Sequence, residues 1–253
     1  MFAGTLFALD ANGNFQEFIG SRNFFTGYVQ FLSAVLSCKF YTNSKEDFKV
    51  FSVRLRITSA HKRAVNGGGA AAVSSPEEEE NLLEKYSLMG YTMRAHYFSP
   101  ERVVSITQLL LGHLLCLSPD DLIQWVNEPE NFLVSEEQLQ PSESLRCAAE
   151  NLFLSLMDYD PANVSQILLY YLQSEDLRLL NNLSDAKVLF YDAVFLAAGI
   201  GSSTLSKYID PAQWIQMSLG PMISSLFSSP NIGAVLVNTS YSSGYAQIMR
   251  RYA

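Results

Sequence analysis

The sequence predicts an all-α fold assembled from pairs of helices. Apolar residues recur at three- and four-residue steps through most of the chain between residues 24 and 226, which is the spacing that lines one face of a helix. Several of these periodic segments open with Ser-Pro or Asp-Pro, residues that favour a helix start. Hydrophobic residues make up 48% of the 253-residue chain, so a sizeable core is expected.

The first part of the chain is expected to hold two helices flanked by irregular segments. Residues 1–22 are rich in Gly and Asn and are predicted to be loosely ordered. A first helix is predicted over residues 24–41, and a second over 46–65, where the alternating run VFSVRLRI leaves a strand as the alternative. Residues 66–78 combine glycines, alanines and acids and predict a flexible loop. The apolar face of the first helix comprises Phe24, Tyr28, Phe31, Leu32, Val35 and Leu36.

Two further helices are predicted over residues 78–97 and 102–116. The first of these begins in a block of four glutamates, which complement the positive end of a helix dipole. The second follows Ser99 and Pro100, a helix-start pair. Its apolar stripe is wide, so it is expected to be a core helix.

The Ser-Pro-Asp-Asp run at residues 118–121 repeats this start pattern for a short helix that carries Trp125. Serine is a favoured N-cap, proline suits the first helical position, and the two acids occupy the first turn. Pro129 ends the helix, because proline inside a helix loses a hydrogen bond. The residues at 127–143 are then predicted to form an acidic loop.

Four more helices complete the pattern. They are predicted over residues 145–158, 162–173, 186–199 and 212–227, with a kink at Gly220-Pro221 in the last. Residues 229–253 are Ser-, Asn- and Gly-rich and are predicted to be an irregular tail.

The helices group into antiparallel pairs that begin near residues 24, 78, 145 and 186. The last two starts are about 41 residues apart, close to the period of about 40–47 residues in HEAT and armadillo repeats. One such pair cannot bury its apolar face alone, so the pairs are expected to stack. We therefore predict a HEAT/ARM-type α-solenoid of about four antiparallel helix pairs over residues 23–228, with a closed helical bundle as the alternative.

The charge balance argues against nucleic acid as the main partner. Formal net charge is -8, whereas phosphate binding requires clustered Lys and Arg. An acidic surface suits basic protein partners, although it also serves solubility alone. No apolar run reaches the roughly 20 residues needed to cross a bilayer, so no membrane partner is predicted.

The sequence does not predict an enzyme, a cofactor or a metal centre. GxGxxG, GxxxxGK[ST] and GxSxG motifs are all absent, and the three histidines are scattered. The cysteines Cys38, Cys116 and Cys147 are widely spaced and lie in apolar helical segments. They are predicted to be buried thiols in a reducing compartment.

Four motifs occur in order between residues 114 and 221. Residues 114–132 read LLCLSPDDLIQWVNEPENF, in which a Leu-rich helix end, a Ser-Pro-acid-acid restart, a Trp and a Glu-Pro-Glu exit follow one another. The later motifs are Ser-Leu-Arg at 144–146 leading to Glu150, Asp-Ala-Val at 192–194, and Asp210 to Trp214 followed by Leu-Gly-Pro at 219–221. Taken in order, these motifs resemble the importin-β superfamily of nuclear transport receptors, and its importin-eleven branch in particular. Cys147 stands where that family usually has proline.

The resemblance implies a segment of a nuclear import receptor that shuttles between cytoplasm and nucleus and acts at the nuclear envelope. Its expected partners are protein cargo, nucleoporins and Ran GTPase. The family's Ran-binding repeats are expected upstream of this segment, which would make it an internal or truncated piece. A helical-repeat scaffold without a transport role is the alternative.

A candidate cargo surface surrounds Trp125. Basic cargo would meet the acids that precede and follow this tryptophan, which are Asp120, Asp121, Glu128, Glu130, Glu136 and Glu137. The competing interpretation is that these carboxylates only cap helices and solubilise a loop.

Overall fold

The computed structural model describes residues 22–50, 52–53, 76–174, 185–214 and 216. Every regular element in these ranges is a helix, which confirms the all-α prediction. The named helices are α1 (Arg22–Leu36), α2 (Pro76–Tyr97), α3 (Pro100–Leu109), a π-helix (Leu110–Leu114), α4 (Pro119–Asn127), α5 (Pro129–Gln138), α6 (Leu145–Tyr159), α7 (Pro161–Leu172), α8 (Asp185–Ile200), α9 (Ser202–Leu205) and α10 (Pro211–Trp214).

The chain divides into two compact units. The smaller unit comprises Ala34–Val103, and the larger unit comprises Met1–Ser33 with Val104–Ala253. Within the described residues, none of the helices is both long enough and apolar enough to span a membrane.

The smaller unit is held together by α2 and the turn that follows α1. The guanidinium of Arg94 donates to the carbonyl oxygens of Leu36, Cys38 and Tyr41 at 3.2, 3.2 and 2.7 Å. These carbonyls lie at and beyond the end of α1, where a helix leaves acceptors unsatisfied. One side chain of α2 thus caps the turn and fixes the orientation of α2 within this unit.

Gly90 allows α2 to approach this turn closely. A β-carbon at residue 90 would overlap the ring of Tyr41. One turn earlier along α2, the hydroxyl of Ser87 donates to the carbonyl oxygen of Phe40 and, at 3.3 Å, to that of Thr42. The side of α2 that carries Ser87, Gly90 and Arg94 is therefore its inner side.

The core of the larger unit is built around α8. Every residue from Tyr191 to Gly199 is buried, as expected of a helix that is apolar on all sides. This helix packs on the π-helix, α6 and α7. The core side chains that these neighbours contribute are Leu110, Leu111, Leu114, Leu152, Phe153, Leu156, Met157, Val164 and Leu168.

The buried face of α1 differs from the predicted one. Phe24 and Phe31 were expected in the core, but they are 56% and 61% exposed. The buried positions are Phe25, Val29, Leu32 and Leu36, which also follow steps of four, three and four. Because residues 24 and 25 are both phenylalanine, the sequence allows an apolar face that starts at either one. Packing in the structure buries the face that starts at Phe25.

The acidic loop predicted at residues 127–143 is wrong over most of its length, because α5 occupies residues 129–138 of it. Pro129 does end α4, as predicted, but it also occupies the first helical position of α5. Proline has no backbone N–H, which is tolerated at the first helical position, and the fixed φ of proline suits a helix start. The same proline thus terminates one helix and initiates the next.

The helices predicted at 78–97, 145–158, 162–173 and 186–199 agree with the structure to within a few residues. The first helix ends at Leu36, earlier than the predicted 41, and α2 begins at Pro76, so residues 76–78 of the predicted 66–78 loop are helical. Of the helix predicted at 212–227, the structure describes residues 212–214 and 216. The helix expected at 102–116 changes to a π-helix over Leu110–Leu114. Residues 45–50 and 52–53 are helical, which favours the helix over the strand alternative in that part of the 46–65 prediction. Outside the described residues lie 1–21, 54–75, 217–227 with its Gly220-Pro221 kink, and the tail at 229–253.

A candidate protein-interaction surface

The start of α4 is fixed by a reciprocal pair of hydrogen bonds. The Ser118 side-chain oxygen accepts from the Asp121 backbone N–H at 3.2 Å, and the Asp121 carboxylate accepts from the Ser118 backbone N–H at 2.8 Å. This is a capping box, in which two otherwise unsatisfied donors are paired. Asp121 is half-buried, and its carboxylate caps the start of α4. For this residue the geometry agrees with the competing interpretation, in which the acids around Trp125 cap helices.

Trp125 of α4 and Phe132 of α5 join the two helices. Their ring centroids lie 5.6 Å apart with planes at 85°, an edge-to-face arrangement favoured by aromatic quadrupoles. Phe132 is 2% exposed, whereas Trp125 is half-buried. We call α4, α5 and the residue between them the α4–α5 corner. Its aromatic side is a packed joint, in which Trp125 as a whole residue stays partly exposed.

Three predicted acids present their carboxylates on the outside of the α4–α5 corner. Asp120, Glu128 and Glu130 are exposed. Glu128 is the single residue between the two helices, and its carboxylate accepts from the Asn131 side-chain amide at 2.9 Å. No Lys or Arg occurs in the sequence between residues 103 and 145, so no cation from this stretch neutralises them.

Glu136 and Glu137 belong to α5, and their side chains lie outside the described residues.

Two apolar side chains of the α4–α5 corner, neither of them among the predicted site residues, are well exposed. Ile123 is 60% and Val134 is 54% exposed. Asp120 and Ile123 lie on the same side of α4, about 60° apart around the helix. Together they offer a carboxylate and an accessible apolar group, which suits a protein segment that is both basic and apolar.

A buried polar cluster lies in the core of the larger unit, where the first three sequence motifs meet. Arg146 on α6 donates from Nε to the carbonyl oxygen of Leu115 at 3.1 Å. Arg146 is 8% exposed and Asp192 on α8 is 1% exposed. Both charges act on the thiol of Cys116, which itself contacts the Leu111 carbonyl oxygen at 3.4 Å. The motif residues Cys116, Arg146 and Asp192 therefore have a role in packing.

Cys116 is a protonated thiol in this setting. Burial, and to a smaller extent the negative charge of Asp192, raise its pKa to about 12, while the positive charge of Arg146 acts in the opposite direction. A thiol held protonated at neutral pH is a poor nucleophile. All three cysteines are free, as predicted, but each is only half-buried. Among the described residues, no group of His, Cys, Asp and Glu is arranged to hold a metal ion.

The chain is similar to Importin-11 of Mus musculus and to Importin-11 of Homo sapiens. In each comparison 137 residues align at 27% identity, which is 53% of this chain and 14% of the relative. The chain therefore spans about one-seventh of the length of these curated relatives. No protein-family model matches the sequence, and no solved structure matches it. The similarity is distant and partial, and it covers about half of this chain.

Proposed function

We propose that this chain is a segment of a nuclear import receptor of the importin-β superfamily that binds protein cargo. The observation that carries the proposal is the similarity to Importin-11 over 53% of the chain. The four ordered motifs support it. The all-helical architecture fits a transport receptor that acts by binding.

The helices are proposed to form HEAT-type repeats of a solenoid. Support comes from the larger unit, where α6 packs on α7, α7 on α8, and α8 on α9. Sequential packing of this kind is typical of helical repeats, in which each unit contacts its neighbours. Because α8 also packs on the π-helix and on α6, a closed bundle remains the alternative. A solenoid presents an extended surface, which suits cargo recognition.

The α4–α5 corner is proposed as a cargo-contact surface. Asp120, Glu128 and Glu130 would attract Lys and Arg of a basic cargo, while Ile123 would receive apolar side chains. Trp125, on the opposite side of α4, would support this surface through its contact with Phe132. Opposite charges steer association and set specificity. Glu136 and Glu137 are included in this proposal from the sequence.

The remaining proposed partners follow from the resemblance. A receptor of this class works with Ran GTPase and nucleoporins, and it occupies cytoplasm, nucleus and nuclear envelope. The alternative remains a helical scaffold that binds proteins without a transport role. The two proposals differ in whether GTP-loaded Ran releases the bound protein.

A binding experiment with a matched control tests the cargo surface. The probe is a fluorescent Lys- and Arg-rich peptide, compared with an acidic peptide of equal length. Asp120→Lys, Glu128→Lys and Glu130→Lys together should weaken binding of the basic peptide about tenfold or more, because steering is replaced by like-charge repulsion. The control reverses three exposed acids elsewhere, Glu46, Asp47 and Asp158.

Equal weakening in both triple variants would show a general charge effect and refute the α4–α5 corner as the contact surface. A second measurement addresses the transport role. Proteins captured from cell extract by this chain, and by a longer form that includes upstream repeats, are compared with and without GTP-loaded Ran. Capture that Ran leaves unchanged in the longer form favours the scaffold alternative.

A further inference from the structure

The outer side of α2 carries a row of large apolar side chains that are open to solvent. Leu82, Tyr86, Met89 and Met93 are 50%, 53%, 53% and 63% exposed. Their spacing of four, three and four residues places them on one face of the helix, as in the seam of a coiled coil. We call these four side chains the α2 stripe. At 1.5 Å per residue it extends for roughly 16 Å.

The α2 stripe cannot be buried by a rotation of α2 within its own unit. An adjacent side of the helix is fixed by Arg94, which caps the turn after α1, and by Gly90 against the ring of Tyr41. Rotating the stripe inward would remove three charge-assisted hydrogen bonds at once, and such bonds are stronger than neutral ones. The stripe is therefore directed outward by the contacts that hold the smaller unit together.

The spacing within the α2 stripe is symmetric about a point between Ser87 and Leu88. Reversing the direction of the helix exchanges Leu82 with Met93 and Tyr86 with Met89. Two antiparallel copies related by a twofold axis would therefore form four continuous layers, each pairing one stripe residue with its counterpart. A twofold interface uses the same patch on both subunits and requires this self-complementarity.

We propose that the α2 stripe is a docking surface for a second copy of this chain, with the two α2 helices antiparallel. Covering both stripes would bury on the order of 1000 Å² in total, the lower limit for a specific interface. The stripe itself carries no charge, so the central layers contain no like-charge contact. Two methionines suit such a surface, because their flexible thioethers fill irregular gaps. The proposal does not depend on cargo binding or on the transport role.

Disulfide trapping tests the direction of pairing. A Leu82→Cys chain is mixed with a Met93→Cys chain of different size, and oxidised. The antiparallel arrangement predicts a heterodimer joined at these two positions, located by peptide mass spectrometry. Neither variant alone should link through its introduced cysteine, because equivalent positions would be roughly 16 Å apart along the pair, beyond the reach of a disulfide. The unaltered chain reports any linkage by Cys38, Cys116 or Cys147.

A charge inserted into the α2 stripe tests the surface itself. Met89→Lys should weaken self-association about 100-fold or more, because two desolvated ammonium groups would lie near the twofold axis. Leu88→Lys is the matched control, since Leu88 is also 50% exposed but lies on a different side of α2. Sedimentation equilibrium over a wide concentration range gives the association constants, and circular dichroism confirms that both variants are folded.

Three results would overturn the proposal. A chain that stays monomeric at all concentrations has no such interface. A Leu82→Cys homodisulfide would show parallel pairing. If Met89→Lys and Leu88→Lys weaken self-association equally, the α2 stripe is not the interface. If the chain binds a different protein or lipid vesicles in place of a second copy, the α2 stripe has another occupant.

Discussion

The Nε group of Arg146 donates to the carbonyl oxygen of Leu115 at 3.1 Å, across 31 residues of sequence. Leu115 directly follows the π-helix, so this buried guanidinium satisfies an acceptor where the helix ends. Arg146→Met should destabilise the fold by about 3–5 kcal/mol, because it removes one charge from a buried polar cluster and leaves the other in place. Urea unfolding of the full chain measures the change in midpoint.

Adding Asp192→Asn to Arg146→Met should recover part of this loss. The second change neutralises Asp192, the buried carboxylate that acts on Cys116 together with Arg146. Additive effects of the two substitutions would contradict a shared cluster, because independent sites add. Arg146→Lys serves as an intermediate variant that retains charge but not the guanidinium geometry.

The glycines of α1 and α2 should respond to alanine in opposite directions. Gly90→Ala should destabilise the smaller unit, because its β-carbon would overlap the Tyr41 ring. Gly27→Ala should stabilise the chain by up to about 1 kcal/mol, since nothing lies within 4 Å of an added β-carbon there and alanine is the better helix former. The thermal unfolding midpoints of both variants distinguish the effect of the close contact between Gly90 and Tyr41 from the effect of helix propensity. A stabilising Gly90→Ala would refute the contact.

The two aromatic residues of the α4–α5 corner should differ in their contribution to stability. Phe132→Ala should cost about 3–5 kcal/mol, as for a fully buried aromatic. Trp125→Ala should cost less, because Trp125 is half-buried. Trp125→Phe should retain most of the stability. Denaturant midpoints rank the three variants, and a Trp125→Ala cost equal to that of Phe132→Ala would contradict this partition.

Cys116 should make the fold sensitive to alkaline pH. Its pKa rises from 9.0 to about 12 on folding, so between these values the unfolded chain has released a proton that the folded chain retains. Stability from this group therefore falls as pH increases through that window. The decrease in unfolding midpoint above pH 9 should be smaller in Cys116→Ala than in the unaltered chain. Parallel decreases in both proteins would exclude Cys116 as the cause.

The capping box at the start of α4 offers a local test. Ser118→Ala should cost about 1 kcal/mol, the usual loss for an N-cap serine. Ser142→Ala is the control, because Ser142 is exposed in the turn before α6. Hydrogen exchange at the Asp121 amide should accelerate only in the first variant, since that amide donates to Ser118.

Helix starts were predictable from the sequence because their chemistry is local. Ser118 with Asp121, Ser144, and Asp160 all cap helices with side chains that lie three residues or fewer from the groups they satisfy. Pro129 shows the limit of local rules, because this proline fits both a helix end and a helix start. The buried face of α1 was ambiguous for a similar reason, since Phe24 and Phe25 each begin an acceptable apolar stripe.

The charges of the candidate site were predictable from the sequence, but the exposure of its apolar side chains was not. The acids around Trp125 are visible in the sequence, and three of them are exposed. The exposure of Ile123 and Val134 depends on how two short helices pack, which periodicity over nine or ten residues does not decide. The cluster of Cys116, Arg146 and Asp192 joins residues far apart in sequence, so spacing alone could not reveal it.

Glu128 separates α4 from α5 as a single residue, with φ −143° and ψ 64°. A one-residue connection has few torsions to adjust, and the Trp125–Phe132 contact closes the angle from the other side. A ligand that contacts both helices would thus meet groups already ordered by folding, and association would lose little conformational entropy. Lengthening this connection by a glycine should leave each helix intact and raise the entropic cost of any interaction that needs both.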